Sequence, residues 1–477
     1  MTLSATSELT ILQTHVTIVD PHISSDNKDS LNIRFAIYEA LVRFDDQANF
    51  VPSLATGWTL TEDAQTWTFK LRENVRCHNG VILNSQDTVE SIKRACDPNL
   101  GGDLGTEGLY YNYLSDIRLK ALDDHTVQMV TSKPMSDLLD IIVDIPIVPH
   151  GALSALPQTP VGSGPYRLVE GGSNLIVMEA FDQYWAGKPP MRKISWRAEP
   201  DAVSRVHLLL KGEVDLITQV PVDQRRVIEE NMAIALVIAP SSVCAVFMCN
   251  SRAGVCVDKR IRQALNYALD MEAIIEEVMA GTAEPLNGPL TSLHFGNDPD
   301  TPPYSYDPEK AKELLADAGY HDGMSLVLNV PTVLPDEATE LARLMANQYS
   351  KVGISTKIKE FTDRPGYANM VKAKEIDDAC CFDSSPLSTF RPLREKFHSG
   401  IRGPWWQGYV NYEVDRLLDL AQATANIAER KRVYRQAYRI IRDDAPWIFF
   451  YNPTLAWGVG SNALGWEPTI DGLVKLA

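Results

Sequence analysis

Apolar and polar positions along the chain fall into short two-residue alternations separated by stretches with helical spacing. Leu9 to Val19 predicts a first strand, and Ile33 to Phe44 has the spacing of a helix that turns into a strand. Two amphipathic strands are predicted around Trp58-Thr59-Leu60 and over Trp67 to Leu71, with the turn-like Thr61-Glu62-Asp63 between them. Trp67, Phe69 and Leu71 then share one face. Asn84 with Asp87 three positions later predicts a capped helix start. Pro157, Pro160, Gly162, Gly164 and Pro165 are the strongest punctuation of the first half and suggest a lobe boundary. Asp201 to Leu210 reads as a helix and Gly212 to Ile217 as a return to strand.

In the second half, one long helix is predicted over Asp258 to Met279, stopping at Gly281. Pro308 to Ala318 is the best-specified helix, with Asp307 as N-cap, Pro308 in the first position and Gly319 for the left-handed C-terminal turn. A strand over Met324 to Val330, a helix over Glu337 to Val352 and a strand over Ile354 to Phe361 follow. A last helix, Ile427 to Ile441, leads to the strand Trp447 to Tyr451. No fixed-period repeat is visible. The order predicts an α/β protein of several lobes with mixed sheets rather than one doubly wound sheet.

A chain of 477 residues is too long for one ordinary core, which agrees with several lobes. The net charge of -17 argues against a nucleic-acid partner, which calls for a basic face. No run of 18 or more apolar residues exists to span a bilayer. The start, Met1-Thr2-Leu3-Ser4, does not read as a signal peptide. Seven cysteines, at 77, 96, 244, 249, 256, 380 and 381, form no C-x-x-C pair and fit neither a zinc ribbon nor a dithiol redox site. Buried free thiols are expected, and a bridge between the adjacent Cys380 and Cys381 is not. This usage suits a reducing compartment and pulls against a periplasmic one.

Tests for catalysis fail. There is no G-x-S-x-G elbow, no phosphate loop, no dinucleotide fingerprint and no H-E-x-x-H pair. The acid pairs Asp377-Asp378 and Asp443-Asp444 read as solvated faces or helix ends, and Asp298 and Asp300 lack the spacing of a calcium loop. No enzyme, no metal and no cofactor are expected. Aromatic residues in loop-like sequence, Trp405-Trp406 and Tyr110-Tyr111, are either core packing or a ligand platform.

Several strings in order resemble the peptide/nickel-type (family 5, cluster C) extracytoplasmic solute-binding proteins of ABC importers. They are Ile37-Tyr38-Glu39-Ala40-Leu41-Val42, Pro52-Ser53-Leu54-Ala55-Thr56-Gly57-Trp58, Thr66 to Arg72 with His78-Asn79-Gly80, and Pro160 to Tyr166. Tyr184-Trp185, Lys211 to Asp215, Val257 to Leu265 and Tyr306 to Ala311 continue the series, so the resemblance runs from about Asp20 to Tyr451. It implies a type II periplasmic-binding-protein-like fold of two lobes with an extra subdomain on the first. The implied bounds are 1–31, 161–250 and 445–477 for the first lobe, 32–160 for the subdomain and 251–444 for the second lobe. It also implies a monomer that captures a small polar solute, a peptide or peptide-like molecule, by hinge closure and presents it to permease subunits. The location implied is periplasmic, with a cytoplasmic ligand sensor as the alternative. A binder of an opine, a sugar conjugate or a nickel complex is the alternative on the same fold.

In oligopeptide binders of the family a carboxylate of the second lobe holds the peptide's amino terminus, and an ungapped match puts Asp383 there. The aromatic that precedes this acid in the family falls at Cys380, whereas Phe382 sits beside it; one gap would move Leu387 or Ser388 opposite the acid. Ser384 and Ser385 follow in the same loop, and Arg391 and Arg394 are candidates for an anionic ligand group. The resemblance adds Ser30 and Asn32 alongside the ligand, Asn250 after a cleft-bordering strand, and Tyr451 and Asn452 on a late crossing segment. Tyr111 and Trp405 are candidate stacking surfaces.

Overall fold

A computed structural model describes residues 8–102, 106–333 and 335–476. The chain folds as two compact units, 1–239 with 455–477, and 240–454.

The first unit is built on a mixed sheet. In spatial order its strands are Ala235–Pro240, Tyr451–Val459, Leu216–Ile217, Glu8–Gln13, Lys193–Ala198, Leu175–Ala180 and Tyr166–Gly171. Glu8–Gln13 runs parallel to Lys193–Ala198 and stops at Gln13, short of the expected Val19. The Gln13 side chain turns to the carbonyls of His15 and Asp29, which pulls the chain out of the ladder. A separate antiparallel sheet has the order Ala55–Leu60, Thr66–Leu71, Thr126–Val130, Arg118–Asp123. Trp67 and Phe69 face its buried side as the period predicts, and Leu71 is half-buried. The helix Ser85–Ala95 begins in a complete capping box: the Asn84 side chain accepts from Asp87, whose carboxylate accepts from the Asn84 backbone.

The Pro/Gly-rich segment around Gly162 joins these two sheets inside one unit. A Cβ on Gly162 or Gly164 would overlap the backbone of Ile37, so glycine is required at both. Between them Ser163 is fully buried and donates to Glu39 at 2.7 Å. Tyr184 and Trp185 donate to the same carboxylate, at 3.0 and 2.9 Å. The Arg72 guanidinium lies 3.9 Å over the Trp185 ring, and His78 bonds the carbonyls of Gly162 and Gly164 through its backbone and ring. Burial, opposed by the three side-chain donors, raises the Glu39 carboxyl to about 7.

The second unit carries a five-stranded mixed sheet in the order Ile354–Phe361, Met324–Pro331, Ala379–Ser384, Cys244–Cys249, Trp447–Phe449. The first three run parallel and the last two are antiparallel to their neighbours. Residues 244–249 and 447–449, which the resemblance assigns to the first lobe, are hydrogen-bonded into this sheet. The expected helix Asp258 to Met279 is two helices, Lys259–Tyr267 and Met271–Met279. Asp270 breaks it: its side chain accepts from Ala273 and so caps the second helix rather than continuing the first. Pro308–Asp317 forms as expected, with Asp307 accepting from Lys310 and Gly319 at φ 95°. All seven cysteines are free and all but Cys96 are buried.

Candidate functional site

In the second unit the strand Ala379–Ser384 carries the site candidates, and its pairing with Cys244–Cys249 is without a bulge. Side chains therefore alternate between the two faces of the sheet. Cys380, Phe382 and Ser384 share one face; Cys381 and Asp383 share the other. The strand's burial fixes this register, because a slip by one residue would exchange the two sets.

On the first face Phe382 is packed into the core, with its ring centroid 4.5 Å from that of Trp405. Both are at least nine-tenths buried. The arrangement makes Phe382 and Trp405 packing partners of each other and of the helix Arg364–Ala373, whose Arg364 lies 5.7 Å over the Phe382 ring. Neither ring shares the face of Asp383.

On the opposite face Asp383 is half-buried opposite Ala245. Its field reaches the Cys381 thiol, which burial raises and which Cys380, Glu337 and Asp383 raise further. Glu337, at the start of the helix Ala338–Ser350, accepts a hydrogen bond of 3.0 Å from the Tyr451 hydroxyl. Two carboxylates and a phenol are thus gathered about Cys381. Glu337 stands 46 positions before Asp383 and 114 before Tyr451, so nothing local in the sequence links the three.

The chain after Asp383 is tied down at every step. Ser385 accepts from the Ser242 hydroxyl through its carbonyl at 2.6 Å, and Pro386 accepts from His294 Nε2 at 2.9 Å. Thr389 Oγ1 accepts from the Gly296 amide at 2.8 Å. His294 Nδ1 accepts from the Thr291 amide, so Nε2 carries the proton; burial pulls this ring down to about 4 and keeps it neutral. His294 belongs to no sequence motif that would mark it. Ser384 is buried, and the Ser388 hydroxyl accepts from the Arg391 amide.

Arg391 is buried on the helix Phe390–Phe397, 3.8 Å from Glu395 one turn on. Arg394 reaches Asp419 at 3.0 Å, so its charge is already paired. Asn250 donates to the carbonyls of Ile376 and Asp377 and accepts from the amides of Arg252 and Ala253. Asn452 donates to Ser241 and Val243. The side-chain amide groups of these two residues clamp backbone within the second unit.

In the first unit Ser30 and Asn32 lie on the helix Lys28–Ile37, capped by Asn27. Asn32 donates to Gln13 at 3.2 Å and accepts from the Val474 amide at 2.8 Å, which ties the helix to the first strand and to the C-terminal segment. Ser30 sits in the first helical turn, beside Asp29, whose carboxylate accepts from His15 and Gln219. Tyr111 is 42 % exposed on the short helix Leu109–Leu114, whereas Tyr110 is buried and donates to Asp144. Among the described residues, no group of three or more His, Cys, Asp or Glu side chains is placed to hold a metal ion. No helix among the described residues is long and apolar enough to cross a membrane.

This architecture and these sequence strings have known counterparts. The "Glutathione-binding protein GsiB" of Pectobacterium atrosepticum is 29 % identical over 457 residues, spanning 91 % of this chain and 86 % of that one. HbpA2 from Haemophilus parasuis superposes with a TM-score of 0.85 at 23 % identity, over 98 % of both chains. The ABC transporter-associated periplasmic binding protein DppA from Helicobacter pylori, in complex with the peptide STSA, gives a TM-score of 0.80 at 22 % identity, over 98 % of this chain and 96 % of that one. The fold is the type II periplasmic-binding-protein architecture. GsiB and DppA are named as binding proteins, and family 5 binding proteins deliver their solutes to ABC permease components. Residues 49–379, well over half of the chain, match the model of the bacterial extracellular solute-binding proteins, family 5, and the chain belongs to that family.

Proposed function

We propose that this protein captures a peptide-like solute outside the cytoplasm, with small peptides of the glutathione type as the first candidates, and hands it to the permease subunits of an ABC importer. Asp383 is the residue proposed to meet the solute's α-ammonium. The observation that carries the reading is the face on which Asp383 stands. A half-buried carboxylate whose field, with that of Glu337, reaches Cys381 gives a cation a charged acceptor and a second acid in the same neighbourhood. Such a pairing offsets the desolvation of both charges only when the ammonium is well seated, and the tied loop 384–389 supplies a fixed frame for it. Similarity over 91 % of the chain to a protein named for glutathione supports the choice of first candidate.

Within the second unit Arg391 is proposed to supply a buried cation, with Asn250 and Asn452 holding backbone of that unit. Within the first unit Tyr111 is proposed as an exposed aromatic contact and Ser30 as a hydroxyl contact, on a helix that Asn32 ties down. The monomer is the proposed delivering form.

Native mass spectrometry of freshly purified protein identifies what co-purifies. Calorimetry then compares glutathione, an unrelated tripeptide, an N-acetylated tripeptide, an opine and nickel-histidine. Binding of at least one free-amine peptide, lost on N-acetylation, is the expected result. An opine or nickel complex that binds while every peptide fails overturns it.

A further inference from the structure

Inside the first unit, the helix Lys28–Ile37 turns Arg34 and, one helical turn on, Tyr38 toward the segment Asp20–Ile23. Each of these two side chains is 2 % exposed. Arg34 donates from Nη2 to the Ile23 carbonyl at 2.7 Å, but among the described residues its Nε and Nη1 and the Tyr38 hydroxyl have no hydrogen-bond partner. Next to them Arg94 holds Asp20 through both guanidinium nitrogens, at 2.7 and 2.5 Å. It also donates to His22 Nδ1 at 3.0 Å, while His22 Nε2 donates to the Pro146 carbonyl at 2.9 Å.

The charges do not balance. Asp20 neutralises Arg94. His22 accepts at one nitrogen and donates at the other, so it is neutral, and burial pulls it down to about 4. Among the described residues Arg34 has no carboxylate within ion-pair distance, and its guanidinium stands away from water. An uncompensated buried charge is among the most costly arrangements in a protein. A water molecule would satisfy some of these donors but not the charge, and it would have to place two hydrogens of its own among groups that mainly donate.

We propose that Arg34 and Tyr38, backed by the Arg94–His22–Asp20 network, bind a small monovalent anion of the chloride class. An anion on one edge of the Arg34 guanidinium accepts from an unpaired N–H there and from the Tyr38 hydroxyl, and brings the cluster to neutrality. Seated there, it joins the helix carrying Ser30 and Asn32 to the segment that precedes it, so halide supports the fold of the first unit.

The test uses the whole chain and no solute, so its failure is separate from any failure of the peptide reading. Crystals grown in sodium bromide are measured at the bromine edge; an anomalous peak in contact with one edge of the Arg34 guanidinium and with the Tyr38 hydroxyl is expected. In solution, sodium chloride or bromide in place of sodium gluconate at equal ionic strength raises Tm by at least about 2 °C. Arg34→Met abolishes that halide dependence. Should Arg34→Met not fold, Tyr38→Phe is expected to raise the half-saturating halide concentration about fivefold or more, on the scale of one charge-assisted hydrogen bond. A non-anomalous peak at the site, or wild-type protein whose Tm does not distinguish halide from gluconate, overturns the proposal.

Discussion

Asp383 and Phe382 are neighbours in sequence and belong to opposite surfaces of their strand, so the same substitution test separates their roles. Asp383→Asn is expected to weaken binding of a free-amine peptide by about tenfold or more in calorimetry, on the scale of a lost buried charge pair, with little change in melting temperature. Phe382→Ala removes a core ring tilted against Trp405 and is expected to cost about 3–5 kcal/mol in urea denaturation. Equal affinity of the Asp383→Asn variant and the wild type would remove the proposed role. In sequence Asp383 reads as a loop residue; only the ladder with Cys244–Cys249 shows a strand whose two-residue period puts Phe382 and Asp383 on opposite faces. Glu337 was not legible in the sequence either, because only the fold carries it to Tyr451. Nor was the use of Asn250 and Asn452 as clamps, since a side-chain amide bonded to backbone looks in sequence like one waiting for a ligand. Asn452→Ala leaves the carbonyls of Ser241 and Val243 without that donor and is expected to destabilise the second unit by about 1–3 kcal/mol.

Among the elements, those with local stop and start chemistry were the readable ones. Asn84–Asp87 and Asp307-Pro308 announce helix starts in sequence and form them in the structure. The break at Asp270 was missed because the apolar spacing on either side continues through it, and only the capping bond to Ala273 shows which helix the aspartate serves. Asn84→Ala is expected to cost about 1 kcal/mol, the usual worth of an N-cap. Asp87→Ala should cost more, because the same carboxylate also accepts from the His150 backbone and ring at 2.8 and 2.6 Å. Equal losses for the two variants in urea titration would show that the His150 contacts add nothing. Several of the strings that resemble the family, by contrast, gather around Glu39: Gly162-Ser163-Gly164, Tyr184-Trp185, Arg72 and His78 all meet there. They identify the family through a packing constraint in the first unit, which is why they located the fold so well and the solute so poorly.

For the molecule as a whole, opposing titrations decide the pH dependence. His22, His78 and His294 are each pulled by burial from 6.5 to about 4. Each binds a proton more readily when unfolded, so each contributes stability that is present above pH 6.5 and lost as pH falls from there toward 4. Glu39, raised by burial from 4.5 to about 7, acts the other way: its contribution is present below pH 4.5 and lost as pH rises through about 7. Each shift is on the order of 3 kcal/mol, and three histidines outweigh one glutamate. Denaturation midpoints are expected to rise from pH 4 to about 6.5 and then fall slightly toward pH 8, and Glu39→Gln should remove the final decline. A curve flat between pH 4 and 6.5 would contradict the histidine assignment. Solute capture by hinge closure carries its own signature at this scale, a radius of gyration in X-ray scattering that falls on saturation with a verified ligand. Scattering curves unchanged by such a ligand would refute closure.

The first unit is made from both ends of the chain: residues 1–239 are completed by 455–477, with Tyr451–Val459 pairing Leu216–Ile217 and Val474 bonding Asn32. A ribosome therefore finishes every residue of the second unit before it delivers the strand and tail that close the first. Throughout most of synthesis the early sheet keeps an edge open, and premature release of the polypeptide leaves that half unfinished while its partner is complete. Deleting the last twenty or so residues should accordingly yield a product whose early half is readily proteolysed and whose 240–454 core resists.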